Sequence, residues 1–277
     1  MLVDIKRLAL LTLSVPIKPG SVHRLMGDVD FERRLLEFVE VEPLIEEAHR
    51  RGHMLARGEI TAQELGLGAL ISKALKAASE VSSEVPLVGL WSATLTMASM
   101  DGYAAASGLK VHDSLRVLML RTLYASLPED AVYLLEGVSD VGDTELLNQV
   151  SQRDMTENYV TSNKLSLGDL FEVLAEVDKG FSVNLRNYEW LLNLSRNYES
   201  SRSLVAGMTR AYLAIASELT GDPELTSMAR RQELELSQLL KMDRRLASSR
   251  GLLNRSLGGV FLTAFLATSS GKAPRGI

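Results

Sequence analysis

The amino-acid sequence predicts an all-helical protein in which residues 1–277 form a single globular domain with a buried helical core. Three observations support this fold class. Apolar residues recur at steps of three and four along most of the chain, which is the spacing of one helix face. Strand signals are sparse, because no long alternating run flanks an Asn-Gly or Asp-Gly turn. Stretches that break the helical pattern are short, so no linker divides the chain.

The first third of the chain predicts three helical segments. Residues 8–17 are mostly apolar and belong to a first helix. Pro43 stands where a new helix can begin, because proline is favoured in the first helical turn. Thr61 and Glu64 have the spacing of a capping box, and the apolar stripe in residues 67–78 predicts the helix that follows.

Two long runs without charged residues predict buried helices. They cover residues 85–100 and 256–271, and each is shorter than the ~20 apolar residues that a membrane span requires. Asp101-Gly102 marks the expected end of the first of these helices. Only a large helical core buries such runs on all sides, and we expect it to contain Trp91, Leu95, Phe261 and Phe265.

The C-terminal half continues the helical pattern. Ser166 and Asp169 repeat the capping-box signal. The clearest apolar stripe runs through residues 204–219. One helix is predicted over residues 223–246, and a last one over residues 253–267.

Composition excludes several classes of function. The net charge is -5, so no overall positive field favours nucleic acid. Pairs of arginines at 33–34, 50–51, 230–231 and 244–245 stand among glutamates, which indicates solvated helix faces. The chain has no cysteine, which excludes disulfides, thiolate zinc sites and a cysteine nucleophile. The N-terminus lacks the pattern of a secretory signal, so we expect a cytoplasmic protein.

The densest group of functional side chains is KPGSVHR, residues 18–24. Its Pro-Gly pair predicts a tight turn that exposes backbone N–H groups. Lys18, Ser21 and Arg24 can donate hydrogen bonds to phosphate oxygens. The segment is therefore a candidate nucleotide-binding site, although a Pro-Gly turn between two helices also explains most of it.

Two carboxylates follow this segment. Asp28 and Asp30 stand two residues apart and could share a divalent cation, or one of them could accept a proton. His23 lies between the phosphate donors and these carboxylates. An aspartate just before Phe31 is also what a helix N-cap looks like, so a structural role stays open.

These residues carry a resemblance to a known family. KPGSVHR followed by DVDF at residues 28–31 resembles the N-terminal motif of the triphosphoribosyl-dephospho-CoA synthase family, in its archaeal form. Residues 153–161 are similar to a stretch of the archaeal branch, and Leu253-Asn254 with the apolar helix after it is similar to the C-terminal motif. Members are all-helical enzymes that transfer the triphosphoribosyl group of ATP to dephospho-CoA and release adenine.

The resemblance implies ATP and Mg²⁺ as cofactors and a CoA-like small molecule as acceptor. The net charge and the length of the apolar runs predict no nucleic acid and no membrane as partner. The resemblance implies that the nucleotide is bound by Lys18, Gly20, Ser21, Arg24 and Asn254. It also implies that Asp28 and Asp30 hold magnesium or stabilise positive charge on the ribose, and that His23 assists proton movement. The oligomeric state is left open.

The chain departs from the family at other motifs. The Asn-Thr-Asn-x-Gly signature corresponds to VPLVG at residues 85–89, which keeps Gly89 and lacks both asparagines. The family's Asn-Pro-Gly corresponds to Asn254-Arg255-Ser256. Two alternatives to an enzyme therefore stay open. One is a non-catalytic relative that binds a nucleotide or serves as a regulatory or structural subunit, and the other is a helical interaction module without a ligand.

Overall fold

The computed structural model describes residues 2–26, 29–82, 84–196, 198–231 and 233–271. Within these ranges the regular structure is entirely helical, which confirms the predicted fold class. Short 3-10 turns join some of the helices. In chain order the α-helices are α1 (Leu2–Ser14), α2 (Val29–Ala56), α3 (Leu67–Glu80), α4 (Val88–Ser107), α5 (Val111–Thr122), α6 (Pro128–Asp140), α7 (Thr144–Gln152), α8 (Glu157–Ser162), α9 (Leu167–Leu174), α10 (Tyr188–Arg196), α11 (Leu204–Thr220), α12 (Pro223–Ala229), α13 (Leu236–Leu246), α14 (Arg250–Asn254) and α15 (Leu257–Ser269).

Helices α4 and α15 form the centre of the fold. α4 packs against α2, α3, α5 and α15, and α15 also packs against α1, α10 and α11. Each is apolar around most of its circumference, so burial on all sides stabilises it. The core contains Trp91, Leu95, Phe261 and Phe265, as predicted. In the described part of the chain, no helix combines the length and the apolar character that a membrane span requires.

Both predicted capping boxes form. The Thr61 N–H donates to Glu64 Oε2 at 2.8 Å, and the Glu64 N–H donates to Thr61 Oγ1 at 3.3 Å. This box opens a short 3-10 turn, and α3 begins after it at Leu67. The second box, between Ser166 and Asp169, opens α9 directly.

Two predicted helix boundaries in the first half are wrong. α2 continues through Pro43, because the proline lies on the exposed side of the helix while Val41 and Ile45 are fully buried against its neighbours. Packing of that face outweighs the lost backbone hydrogen bond. Asp101-Gly102 does not end α4, which runs to Ser107. A Cβ on Gly102 would lie 1.9 Å from the His49 carbonyl oxygen, so this glycine serves close packing of α4 on α2.

Two predicted helices in the second half are each divided. The segment 223–246 forms α12 and α13, with a break between Ala229 and Leu236. The apolar stripe stays in phase across this break, since Leu225 and Met228 are buried before it and Leu239 and Met242 after it. Periodicity alone therefore could not reveal the break. The segment 253–267 is likewise divided between α14 and α15.

Three glycines form a close junction between α4, α15 and the 3-10 turn Lys179–Ser182. A Cβ on Gly180 would lie 2.1 Å from the Gly89 carbonyl oxygen. A Cβ on Gly258 would lie 2.3 Å from the Gly180 Cα. We call these residues the glycine junction, and it brings the start of α4 next to Asp178, the residue before the turn.

Candidate functional site

A cleft of about 400 Å³ opens where the start of α4, the start of α7, α14 and one side of α2 meet. We call it the central cleft. Helix N-termini carry partial positive charge, and at this cleft each of the two already faces a carboxylate of the chain, Asp178 at α4 and Asp143 at α7. Its charged lining residues are Arg34, Glu84, Asp143, Glu145, Asp178, Arg250 and Arg255.

Arg34 lies on the wall that α2 supplies. It is 2% exposed, so the prediction that the Arg33-Arg34 pair lies on a solvated face is wrong for this residue. Its guanidinium donates to Glu37, to Glu84 Oε2 at 2.7 Å and to the Val85 carbonyl at 3.1 Å. Three acceptors hold the guanidinium in one position at the edge of the cleft.

Arg255 joins the carboxylates on the other walls. Its guanidinium donates to Asp143 at 2.7 and 3.2 Å and to Glu145 at 2.9 Å. A third carboxylate, Asp178, lies 3.9 Å from Arg255 Nη1. Asp143 also caps α7 by accepting the Leu146 N–H at 3.2 Å. Arg255 therefore ties α14 to the start of α7 and neutralises part of the negative charge of the cleft.

Arg250 is the arginine of the cleft with the fewest carboxylate partners in the described residues. Its Nη1 lies 3.2 Å from Asp30 Oδ2, and its buried Nε makes no hydrogen bond to any described residue. The side chain as a whole is 35% exposed, so the terminal guanidinium nitrogens, unlike the buried Nε, are accessible to a ligand. Arg250 is therefore the residue best placed to donate to an anionic ligand.

Asp178 is a buried carboxyl group at the floor of the cleft. Its Oδ1 accepts the Gly180 N–H at 2.8 Å, and the Gly89 N–H also donates to the carboxylate. Burial raises the pKa of Asp178 to about 7, although Arg255 and the two N–H donors oppose the change. A carboxyl group with this pKa exists in both protonation states near neutral pH, so it can give or accept a proton.

We expect the substitution Asp178→Asn to change how stability depends on pH. The ordinary pKa of 3.8 applies to the unfolded chain, whereas the folded value is about 7. Between these two pKa values the folded chain holds a proton that the unfolded chain has released. The contribution of this group to stability is therefore complete below pH 3.8 and is lost as the pH rises from 3.8 to about 7. Relative to the variant, wild-type stability should fall by roughly 2–4 kcal/mol over this interval.

Urea denaturation at several pH values measures this difference. Asp140→Asn is a suitable control, because Asp140 is an exposed carboxylate paired with Lys76. A difference between wild type and Asp178→Asn that stays constant with pH would contradict the prediction. The asparagine oxygen can still accept the Gly180 N–H, so the backbone contact survives the exchange.

Lys18 lies away from the cleft. Its side chain is fully buried, and its ammonium donates to the Thr12 carbonyl and, at 3.2 Å, to the Leu13 carbonyl. These carbonyls belong to the last turn of α1, where a cation is favoured. Burial lowers the pKa of Lys18 well below its usual value. The predicted contact between Lys18 and a triphosphate is wrong in this arrangement, because the ammonium caps α1 instead.

We expect Lys18→Met to lower stability and to leave ligand affinity unchanged. The methionine keeps much of the side-chain volume but leaves the α1 carbonyls without their donor, at a cost of about 1–2 kcal/mol. Thermal unfolding measures the loss, and Lys73→Met on the exposed side of α3 is the control. Intact stability with a tenfold loss of ATP affinity would show that the ammonium contacts a ligand.

Gly20 and His23 contact α13 and α14 rather than the cleft. Gly20 has a φ of +76°, and a Cβ there would lie 2.6 Å from Leu246 Cβ. Its N–H donates to Asp243 Oδ1 at 2.7 Å. His23 is buried, with Nε2 3.2 Å from the same Asp243 oxygen, and its Nδ1 accepts the Leu25 N–H at 3.2 Å. Burial lowers the pKa of His23, and Asp243 opposes the change.

Three residues near the N-terminus, Ser21, Val22 and Asp30, contact residues that line the cleft. Ser21 Oγ donates to Asn254 Oδ1 at 2.8 Å, and the Val22 N–H donates to the same oxygen at 3.1 Å. Asn254 itself lines the cleft. Asp30 connects to the cleft through Arg250. These contacts stabilise the position of α14, which supplies Arg250 and Asn254 to the cleft.

Among the described residues of the predicted N-terminal site, Lys18, Ser21, Arg24 and Asp30, none lines the central cleft. Ser21 and Asp30 contact lining residues, whereas Lys18 is buried elsewhere and Arg24 is exposed. Asp28 lies outside the described residues. Its predicted role as a metal ligand or catalytic group therefore stays a prediction.

The sequence analysis did not identify the charged residues that line the cleft. Arg34 is in phase with Val41 and Ile45 on the buried face of α2, so helical spacing could have placed it inside. No comparable local signal points to Arg250, Asp143 or Asp178, which come together only through the tertiary fold. In comparisons with known proteins, no family model, no curated protein and no solved structure matches the chain.

Proposed function

We propose that this chain is a nucleotide-dependent transferase that resembles triphosphoribosyl-dephospho-CoA synthase, with the central cleft as its substrate site. One observation carries the proposal. Val85, Pro86, Leu87 and Asn254, from stretches that correspond to two of the family's motifs, line this cleft. Ser21 and Val22, from the N-terminal motif, contact Asn254, although all three stretches are far apart in the sequence. A shared surface for such distant stretches is what a ligand site requires.

The cleft has cationic donors and a size that suit the phosphates of ATP, and the carboxylates Glu84, Asp143, Glu145 and Asp178 also line it. Arg34, Arg250 and Arg255 line it together with the N-termini of α4 and α7. In proteins, guanidinium groups and the N–H groups at helix N-termini commonly donate hydrogen bonds to phosphate oxygens. A volume of about 400 Å³ lies within the range of small-molecule sites.

Asp178 supplies the proton transfer in this proposal. In the transfer, the bond between the ribose C1′ and the adenine nitrogen breaks while a hydroxyl oxygen of the dephospho-CoA-like acceptor bonds to C1′. The acceptor hydroxyl loses a proton and the departing adenine gains one, so the reaction is balanced. A carboxyl group with a pKa of about 7 can accept the first proton and donate the second.

The predicted magnesium ligands are Asp28 and Asp30, and Asp28 lies outside the described residues. Among the described residues, no group of three or more His, Asp or Glu side chains is arranged to hold a metal. Asp30, one of the predicted ligands, pairs with Arg33 and Arg250. Magnesium enters the proposal as the ion that accompanies ATP, and its binding by Asp28 and Asp30 stays a prediction.

The test combines calorimetry with a product assay. We expect wild type to bind ATP with magnesium at or below millimolar concentration and to release adenine when dephospho-CoA is present. Arg250→Gln should weaken ATP binding about tenfold or more, because a charged hydrogen bond is removed. Arg57→Gln, an exposed arginine paired with Glu59, is the control for the loss of one charge. Absence of ATP binding at millimolar concentration would overturn the proposal.

One observation favours the non-catalytic alternative. Val85, Pro86 and Leu87 line the central cleft where the resemblance implies two asparagines. These apolar side chains cannot donate hydrogen bonds to a transition state, so binding could persist without transfer. ATP binding without adenine release, in the presence of dephospho-CoA, would favour a nucleotide-binding regulatory or structural subunit.

A further inference from the structure

A second cleft, of about 790 Å³, lies between α11, α12 and the segments that flank them. We call it the arginine cleft, after its lining residues Arg202, Arg210, Arg230 and Arg231. Glu218 is the one carboxylate among the described residues that line it. Within the described chain, no residue lines both this cleft and the central cleft. A ligand here would therefore bind independently of the proposed transferase site.

Two arginines of this cleft, Arg202 and Arg231, have contacts that a ligand could replace. Arg202 Nη2 lies 2.7 Å from Glu233 Oε1, but the two side chains are 81% and 71% exposed, and such surface pairs contribute little. Arg231 Nη1 donates to the neutral Gln238 Oε1 at 2.7 Å. An anionic ligand could replace both contacts without leaving a buried charge unpaired.

The charge of this cleft contrasts with that of the whole chain. The protein carries a net charge of -5, so four arginines around one concave surface are a local concentration of positive charge. The planar guanidinium group donates two parallel hydrogen bonds to phosphate, which makes arginine well suited to phosphate recognition. The volume is sufficient for a ligand of nucleotide size.

An adjoining cavity extends the arginine cleft over an apolar surface. It measures about 470 Å³ and shares Arg202 and Arg210 with the arginine cleft. From these two residues it continues along Val205, Leu234 and Leu239. Glu233, the partner of Arg202, also lines this cavity. The combined surface has arginines at one end and mostly apolar side chains at the other, so its ligand should have the same division.

We propose that the arginine cleft and its adjoining cavity bind a small molecule that carries several phosphate groups next to an apolar portion. The phosphates lie among Arg202, Arg230 and Arg231, and the apolar portion lies along Val205 and Leu239. This site is separate from the proposed transferase activity and does not depend on it.

Trp190 provides a direct signal for binding. Its Nε1 lies 3.1 Å from each carboxylate oxygen of Glu218, which lines the arginine cleft. The other tryptophan of the chain, Trp91, is fully buried in the core. Tryptophan emission is followed while geranyl diphosphate or pyrophosphate is added to wild type and to Arg250→Gln, in which the central cleft is weakened. We expect saturable changes in both proteins, and about tenfold tighter binding of geranyl diphosphate, because its chain buries apolar area.

Two double variants test the assignment to these arginines. Arg230→Gln with Arg231→Gln should weaken geranyl diphosphate binding about tenfold to a hundredfold, because two charged donors are lost. Arg57→Gln with Arg153→Gln removes the same charge from two glutamate-paired arginines outside the cleft and should change the affinity less than about twofold. Circular dichroism checks that both variants fold, and Arg230→Gln alone replaces the double variant if it does not fold.

Three results would overturn the proposal. The first is no emission change in wild type at millimolar geranyl diphosphate. The second is an equal loss of affinity in both double variants, which would indicate a general effect of charge. The third is tighter binding of a hexa-aspartate peptide than of geranyl diphosphate, which would assign the cleft to an acidic protein segment.

Discussion

Replacing Gly180 with alanine is expected to lower the free energy of unfolding by about 3–5 kcal/mol, near the upper end for single substitutions. The added Cβ would lie 2.1 Å from the Gly89 carbonyl oxygen and 2.5 Å from the Gly89 Cα. Both are backbone atoms, so no side-chain rotation can relieve the overlap. Either α4 or the 3-10 turn Lys179–Ser182 must shift, and each is fixed by the core around it.

The measurement is urea unfolding of Gly180→Ala beside Gly251→Ala. A Cβ on Gly251 would meet no atom within 4 Å, and this glycine lies in α14. Alanine is a better helix former than glycine, so the control should be neutral or more stable by up to about 1 kcal/mol. Similar losses of unfolding free energy in the two variants would show that the loss does not come from overlap of the new Cβ with the backbone at the glycine junction.

The glycine junction also gives Gly89 a physical role that the resemblance alone did not supply. A Cβ on Gly89 would lie 1.8 Å from Asp178 Oδ1, so only glycine lets this carboxylate lie against the start of α4. Leu87, at the N-cap position of α4, has no side chain that can cap the helix. Asp178 supplies an acceptor for the Gly89 N–H from a distant part of the sequence.

The fold class and the core could be predicted because they depend on local pattern. Uncharged runs of helical length must be buried on all sides, which is why Trp91 and Phe261 could be placed in the core. Helix breaks could not be predicted in the same way. The stripe through Leu225 and Leu239 continues in phase across the break between α12 and α13, so spacing contains no signal for the change of direction.

The candidate site could be predicted only in part, because residue type does not determine which way a side chain faces. The sequence predicted Lys18 as a phosphate ligand, but its ammonium donates hydrogen bonds to the carbonyls at the end of α1. Asn254 lines the cleft, and its Oδ1 also accepts a hydrogen bond from Ser21 Oγ. The same residue can therefore contact a ligand and stabilise the fold. Arg250 and Asp178 come together through α14 and the glycine junction, and neither belongs to a sequence motif.

Arg255→Gln is expected to lower the free energy of unfolding by about 3–5 kcal/mol at neutral pH, because it leaves buried carboxylates without their cation. Asp143 and Asp178 are 4% and 6% exposed in their side chains, and both face the guanidinium. Glu145, which is half exposed, should contribute little of this loss. The variant also removes the contact that ties α14 to α7, so ATP affinity should fall with stability.

The pH dependence of this loss separates an uncompensated charge from lost packing. Arg255 lowers the pKa of Asp178, so without it that pKa should rise above its present value of about 7. At about pH 5 Asp178 is then protonated and neutral, so its carboxyl group does not need the arginine as a counter-charge, as it does when ionised at pH 8. We expect the penalty in urea unfolding to be smaller at pH 5 than at pH 8 by about 1 kcal/mol or more. An equal penalty at both pH values would mean that the guanidinium acts through its packing and its hydrogen bonds to Asp143 alone.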